Sequence, residues 1–142
     1  MNRSIVMLAV TVFFLAGCAP PSGVSIEGAW GRSVPASTAN SAFYMTIRNS
    51  GSQADQLTSV KSSACGMAEL HESFMGADGV MGMRPVTGGK IQVPAGGSVE
   101  LKAGGLHIMC MEKKGSFDPG VKVQATLTFA QAGDKSIEIE IK

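Results

Sequence analysis

The chain predicts an all-β sandwich or small barrel folded as a single domain. Short runs that alternate apolar and polar positions recur along it, each bounded by glycine, proline or asparagine. No segment carries a helical period over roughly ten or more residues. Eighteen glycines against an aromatic content of 6% suit a fold built from tight turns and aliphatic faces.

The N-terminus stands apart from this pattern. Met1 to Arg3 give a short positive start, and Ile5 to Gly17 form an apolar run of 13 residues. That run is too short to cross a hydrocarbon layer of roughly 30 Å comfortably. It reads instead as an export signal that is removed. The ending Leu15-Ala16-Gly17-Cys18 resembles the bacterial lipobox. The resemblance implies cleavage just before Cys18, diacylglyceryl modification of its thiol, and a protein held on the periplasmic or other extracytoplasmic face of a membrane. An ordinary signal that leaves Cys18 in a free tail is the alternative. The expected organisation is a cleaved signal over 1–17, a lipid-anchored tether over 18–23 and a β-sandwich over 24–142. The tether is proline-rich, which keeps it extended and unable to pack.

The strand-like segments follow in order. Val24 to Arg32 carries the only tryptophan, Trp30, and Ser33 to Ser41 is loop by composition. Ala42 to Arg48 alternates, with Phe43, Met45 and Ile47 on one face, and Asn49-Ser50-Gly51 turns it. Gln56 to Ser62 and Cys65 to His71 come next, then a loop or hairpin from Glu72 to Gly79 with an Asp78-Gly79 turn signal. Val80 to Val86, Lys90 to Val93, Ser98 to Lys102, Leu106 to Glu112, Val121 to Ala130 and Lys135 to Ile141 complete about nine or ten strands.

Removing Arg3 with the signal leaves eleven basic residues against eleven acidic ones. A neutral chain without a basic run has no electrostatic footprint for nucleic acid or for anionic surfaces. Membrane attachment therefore falls to the lipid on Cys18, and stable attachment takes more than one acyl chain. No Ser-His-Asp arrangement, Cys-x-x-Cys pair or phosphate-cradling loop is present, so an enzyme is not expected.

Within the 45 residues from Met67 to Met111 lie both histidines and six of the nine methionines. Strand alternation puts His107 and Met109 on one face and Ile108 and Cys110 on the other. Met111 shares the first face, and Met81 and Met83 form a second same-face pair. His71, Met83, His107 and Met109 thus offer two imidazoles and two thioethers from three segments, with Met81 and Met111 as auxiliary donors. Neutral, polarizable thioethers suit Cu(I) and serve Zn²⁺ or Ca²⁺ poorly. They also resist oxidation to disulfides, an advantage outside the cytoplasm. Glu69 and Glu112 read as solvated, or as groups that orient a ligand imidazole. The plain alternative is that the methionines fill a core.

Cys65 and Cys110 leave three readings open: a structural disulfide, two buried thiols, or Cys110 as an extra soft ligand. A blue-copper site would need a thiolate beside the histidines, and the strand parity of Cys110 points it away from His107.

Several stretches together resemble the periplasmic copper chaperones of the PCuAC family. They are Ala29-Trp30-Gly31-Arg32, Ser41 to Asn49, Glu69-Leu70-His71-Glu72, Met83-Arg84-Pro85-Val86, Val93 to Gly97 and Gly104 to Met109. The resemblance implies a cupredoxin-like fold and Cu(I) held by His71, Met83, His107 and Met109. It selects Met83 over Met81 because Met83 directly precedes Arg84-Pro85-Val86. The spacings from His71 to Met83 and from Met83 to His107 run slightly longer than the family pattern, and the turns at Gly76 to Gly79 and Thr87 to Lys90 absorb the difference. It further implies delivery of copper to subunit II of cytochrome oxidase or to a thiol-bearing assembly factor. The expected function is thus an exported copper carrier, with a Met-filled adhesive lipoprotein or an electron-transfer cupredoxin as alternatives.

Overall fold

The computed structural model describes residues 23–142. The signal and Cys18 lie outside the described residues. Gly23, assigned above to the tether, is already held: the Ser50 amide donates to its carbonyl at 2.9 Å. Its backbone also runs so close to Gly51 that a Cβ on Gly23 would sit 2.3 Å from the Gly51 nitrogen.

Ten strands are present among the described residues: β1 (Val24–Gly31), β2 (Ser41–Asn49), β3 (Asp55–Ser62), β4 (Cys65–Met75), β5 (Met81–Pro85), β6 (Ile91–Val93), β7 (Gly97–Leu101), β8 (Leu106–Lys113), β9 (Lys122–Phe129) and β10 (Gly133–Ile141). A short 3₁₀ turn, Thr87–Gly89, joins β5 to β6. The hydrogen-bonded order is β5-β4-β8-β2-β1-β10-β9-β3-β6, with β7 also paired to β2. Only β1 and β10 run parallel among these pairings; the rest are antiparallel. Residues from both ends of this order, Leu70 and Ile108 on one side and Leu57 and Leu127 on the other, share one core with Phe43, Ile47 and Ile139. The sheet therefore curls over upon itself, as a two-layer sandwich requires. Complete burial of a side chain such as Phe43 or Ile47 contributes roughly 1.5–3 kcal/mol.

Strand β2 differs from its sequence reading. Phe43, Met45 and Ile47 face the core, but Ala42 and Tyr44 on the opposite face are buried too. The Trp30 ring stands 4.5 Å from that of Tyr44, and the Ser33 to Asn40 loop lies over the same side, so the outer face of β2 is covered at Ala42 and Tyr44 and opens to water only towards Arg48. Gly28 adopts φ 60° at the register shift in β1 between Glu27 and Trp30. A left-handed residue in a bulge asks for glycine, and the bulge adds the twist that lets the strand follow the curl.

The main correction concerns β4. It does not stop at His71 but continues to Met75, so of the loop or hairpin expected from Glu72 it is the hairpin that forms, with four more residues of strand. Phe74 pairs with Gly82 and Met75 with Met81, which extends an antiparallel ribbon outward. The turn itself is confined to Gly76 to Val80, closed by the Gly76 amide donating to the Val80 carbonyl at 2.8 Å.

Asp55 anchors the far edge. One carboxylate oxygen accepts from the amides of Gln56 and Gln131 at 2.7 and 2.9 Å, and the other from Ala132 at 2.8 Å. Burial pushes this carboxyl upward, but the backbone amides outweigh it and hold the pKa below the ordinary value of 3.8. Because the folded value is depressed, the stabilisation is complete above the unfolded value and is lost as pH falls through the folded one. Asp55→Ala should cost roughly 1–3 kcal/mol at neutral pH by orphaning these amides. In denaturation measured from pH 7 down to 2, the gap between wild type and variant should narrow at the acid end.

Candidate metal centre

The donors gather on one face of the ribbon β5-β4-β8. His71 lies directly opposite His107, and its other neighbour across β5 is Pro85. One step along, Ser73 faces Met83; one step the other way, Glu69 faces Met109. Beyond these lie the pairs Met75–Met81 and Met67–Met111. Strand alternation projects all of these side chains to the same side, opposite Leu70 and Ile108 in the core.

The two imidazoles are buried, with 9% of His71 and 2% of His107 exposed, and their ring centres are 5.9 Å apart. His107 Nδ1 lies 2.9 Å from the carbonyl of Gly105, and His71 Nε2 lies 3.1 Å from a carboxylate oxygen of Glu69. Carbonyl and carboxylate oxygens only accept, so these nitrogens carry the protons. In the neutral rings the lone pairs then sit on His107 Nε2 and His71 Nδ1. Both of those atoms are buried and have no hydrogen-bond partner. A buried unpaired polar atom costs roughly 1–3 kcal/mol, and two in adjacent rings need an explanation.

Met83, His107 and Met109 line a cavity of about 420 Å³ together with Ser73, Tyr44 and Gly104. Its far wall is the loop after β1, through Arg32, Val34, Thr38 and Asn40. His71 is not a lining residue; it reaches the site through its contact with the His107 ring. The imidazoles are thus shielded while Met83, 61% exposed, stands at the open side. Met81 is also exposed and sits a pair further out on the hairpin, and Met111 lies beyond Met109 opposite Met67. Glu69 holds His71, whereas Glu112 packs over Gly66.

Sequence reasoning missed Ser73, whose buried Oγ has no partner, and the wall from Arg32 to Asn40. Ser73 has the parity of His71, so a strand extended past His71 would have found it. The loop carried no such signal, because its place over the site depends on where β1 and β2 pair.

Among the described residues no three His, Cys, Asp or Glu side chains converge in a metal-binding cluster. Most of the other side chains that share the face of the two imidazoles are thioethers, a donor type that suits a soft ion. Cys65 and Cys110 are joined in a disulfide across 45 residues. That removes Cys110 as a thiolate, and with it the ligand that a blue-copper centre requires.

The fold is the cupredoxin-like β-sandwich of PCuAC domains. The apo PCuAC domain from PmoF1 superposes with a TM-score of 0.73 at 23% identity, covering 87% of this chain and 97% of that one. The solution structure of CuI-DR1885 from Deinococcus radiodurans gives 0.63 at 26% identity, covering 89% and 81%. The chain belongs to the family described as "Putative lipoprotein LpqE-like", whose pattern matches residues 24–141. It is also similar to "Putative lipoprotein Lxx21020" of Leifsonia xyli subsp. xyli, at 29% identity over 84% of this chain and 70% of the relative.

Proposed function

We propose that the chain is an exported, lipid-anchored carrier that binds one Cu(I) through His71 Nδ1, His107 Nε2 and the sulfurs of Met83 and Met109. The observation that carries this reading is the pair of unpartnered, buried imidazole nitrogens on a face whose other side chains are mostly thioethers. A soft cation satisfies both lone pairs at once, and water would satisfy them without calling for sulfur. The copper-bound state of a similar fold, the CuI form of DR1885, supports the choice of ion.

A site closed by four protein donors holds metal and has no position reserved for a substrate. Exposed Met83 is the donor a partner's ligand would replace first, and stepwise exchange then passes the ion on. The receiving protein is of the kind that builds the binuclear copper centre of cytochrome oxidase, either subunit II itself or a thiol-bearing assembly factor. Cys18 carries the lipid that keeps the carrier at the membrane, and membership of a lipoprotein family supports that anchor. The Met-filled adhesive alternative loses ground here, because all six methionines between Met67 and Met111 lie outside the core and, of these, Met67, Met75, Met81 and Met83 are more than half exposed.

X-ray absorption on the anaerobically loaded Cu(I) form tests the assignment. Two nitrogen and two sulfur neighbours are expected around a single copper. A shell of oxygen donors, or no stoichiometric uptake against a competing chelator, would end the carrier reading.

A further inference from the structure

Beyond His71 the β4–β5 hairpin extends as a two-stranded arm that the core does not explain. Of the six large hydrophobic side chains exposed among the described residues, five sit on it: Phe74, Met75, Val80, Met81 and Met83. Its two faces differ sharply. On the back, the Phe74 ring covers Gly82, where a Cβ would come within 2.7 Å of the ring, and the Arg84 guanidinium lies 4.8 Å over the same ring. Arg84 is fixed in turn by Glu72 at 2.9 Å. The arm is thus held in shape from behind, and its front is left to Met75, Met81 and Met83.

An apolar docking surface would be expected to show aromatic anchors, yet the only aromatic on the arm is engaged on the back. What the front offers uniformly is thioether sulfur. Met75 and Met81 are directly opposed across the strands. Such pairs have Cβ atoms roughly 4.5–5.5 Å apart, which puts two flexible thioethers within reach of one ion. Met83 follows two residues along on the same face. Met81 also leans inward: a Cβ on Gly104 would lie 3.9 Å from its terminal methyl carbon, and Gly104 lines the cavity shared by Met83, His107 and Met109.

We propose that Met75 and Met81 form a second, weaker site for a soft monovalent cation on the hairpin arm, from which the ion passes through Met83 to the histidines. Its role as an entry step rests on the carrier reading above; its existence as a site does not. Two neutral thioethers in water, without imidazole and without burial, should bind at least roughly tenfold more weakly than the inner set.

The test is titration of the purified chain, labelled at its methionine methyls and histidine rings, with Ag(I), a redox-inert soft cation, followed by NMR. The first equivalent should move the rings of His71 and His107 and the methyl of Met109. The second should move the methyls of Met75 and Met81. Met75→Leu with Met81→Leu preserves bulk and removes both sulfurs; it should bind one equivalent with the ring shifts intact. Saturation of the wild type at one equivalent with those two methyls unmoved would overturn the proposal, as would a double variant that still takes up two. If the rings stay silent while the Met75 and Met81 methyls respond, the hairpin site stands and the histidine site fails.

Discussion

His107→Ala should weaken Cu(I) binding by more than about a hundredfold, the largest single-residue effect expected in this chain. Loss of a group that merely orients a metal ligand costs roughly 10–100-fold, and the role proposed for His107 is that of the ligand itself. Its Nδ1 donates to the Gly105 carbonyl, its Nε2 is buried without a partner, and the residue is 2% exposed. No other side chain can replace it, because the chain has only one further histidine. Glu69→Ala should fall in the lower range, since it frees the His71 ring without removing its nitrogen. Anaerobic competition against a chromophoric Cu(I) chelator measures both. Thermal unfolding of the copper-free proteins separates the effect from folding: removing an unpaired buried nitrogen offsets part of the lost packing, so His107→Ala should remain folded. Equal losses for the two variants would contradict the assignment of His107 as a direct donor.

Removing the disulfide should have the largest effect on stability. Cys65 opens β4 and Cys110 lies within β8, the strands that carry His71 and His107, and the bridge closes 45 residues. The chain-entropy relation gives about 4 kcal/mol for a loop of that length. Against a total of roughly 5–15 kcal/mol for a domain, that is a large share, and it corresponds to a drop in Tm on the order of 15 °C. Cys65→Ala with Cys110→Ala is the suitable variant, because Cys110 is fully buried and a serine hydroxyl there would add its own cost. Denaturant unfolding at 25 °C should show the loss, and reductant should reproduce it in the wild type. A loss below about 1 kcal/mol would mean that the bridge does little to restrict the unfolded chain.

The two effects meet in the register of β4 against β8. The triplet His107-Ile108-Met109 already tells, from alternation alone, that nitrogen and sulfur project together while Ile108 turns inward. The same rule places Met81 with Met83. It misplaced the end of β4 because Ser73, Phe74 and Met75 have no hydrophobic core to face. Their pairing with Met83, Gly82 and Met81 is what makes them strand. Likewise Ala42 and Tyr44 look solvent-facing in a half-buried strand, and only the loop and Trp30 laid over them bury that side.

From its order of residues alone the chain settles the kind of fold, the grouping of side chains on each strand face, and the softness of the donors on offer, because these depend on chemistry and on a two-residue period. Long-range pairing settles the rest: His71 opposite His107, and Cys65 reaching Cys110. Those contacts join residues up to 45 positions apart in the chain, and no local preference specifies which strand a segment will lie against.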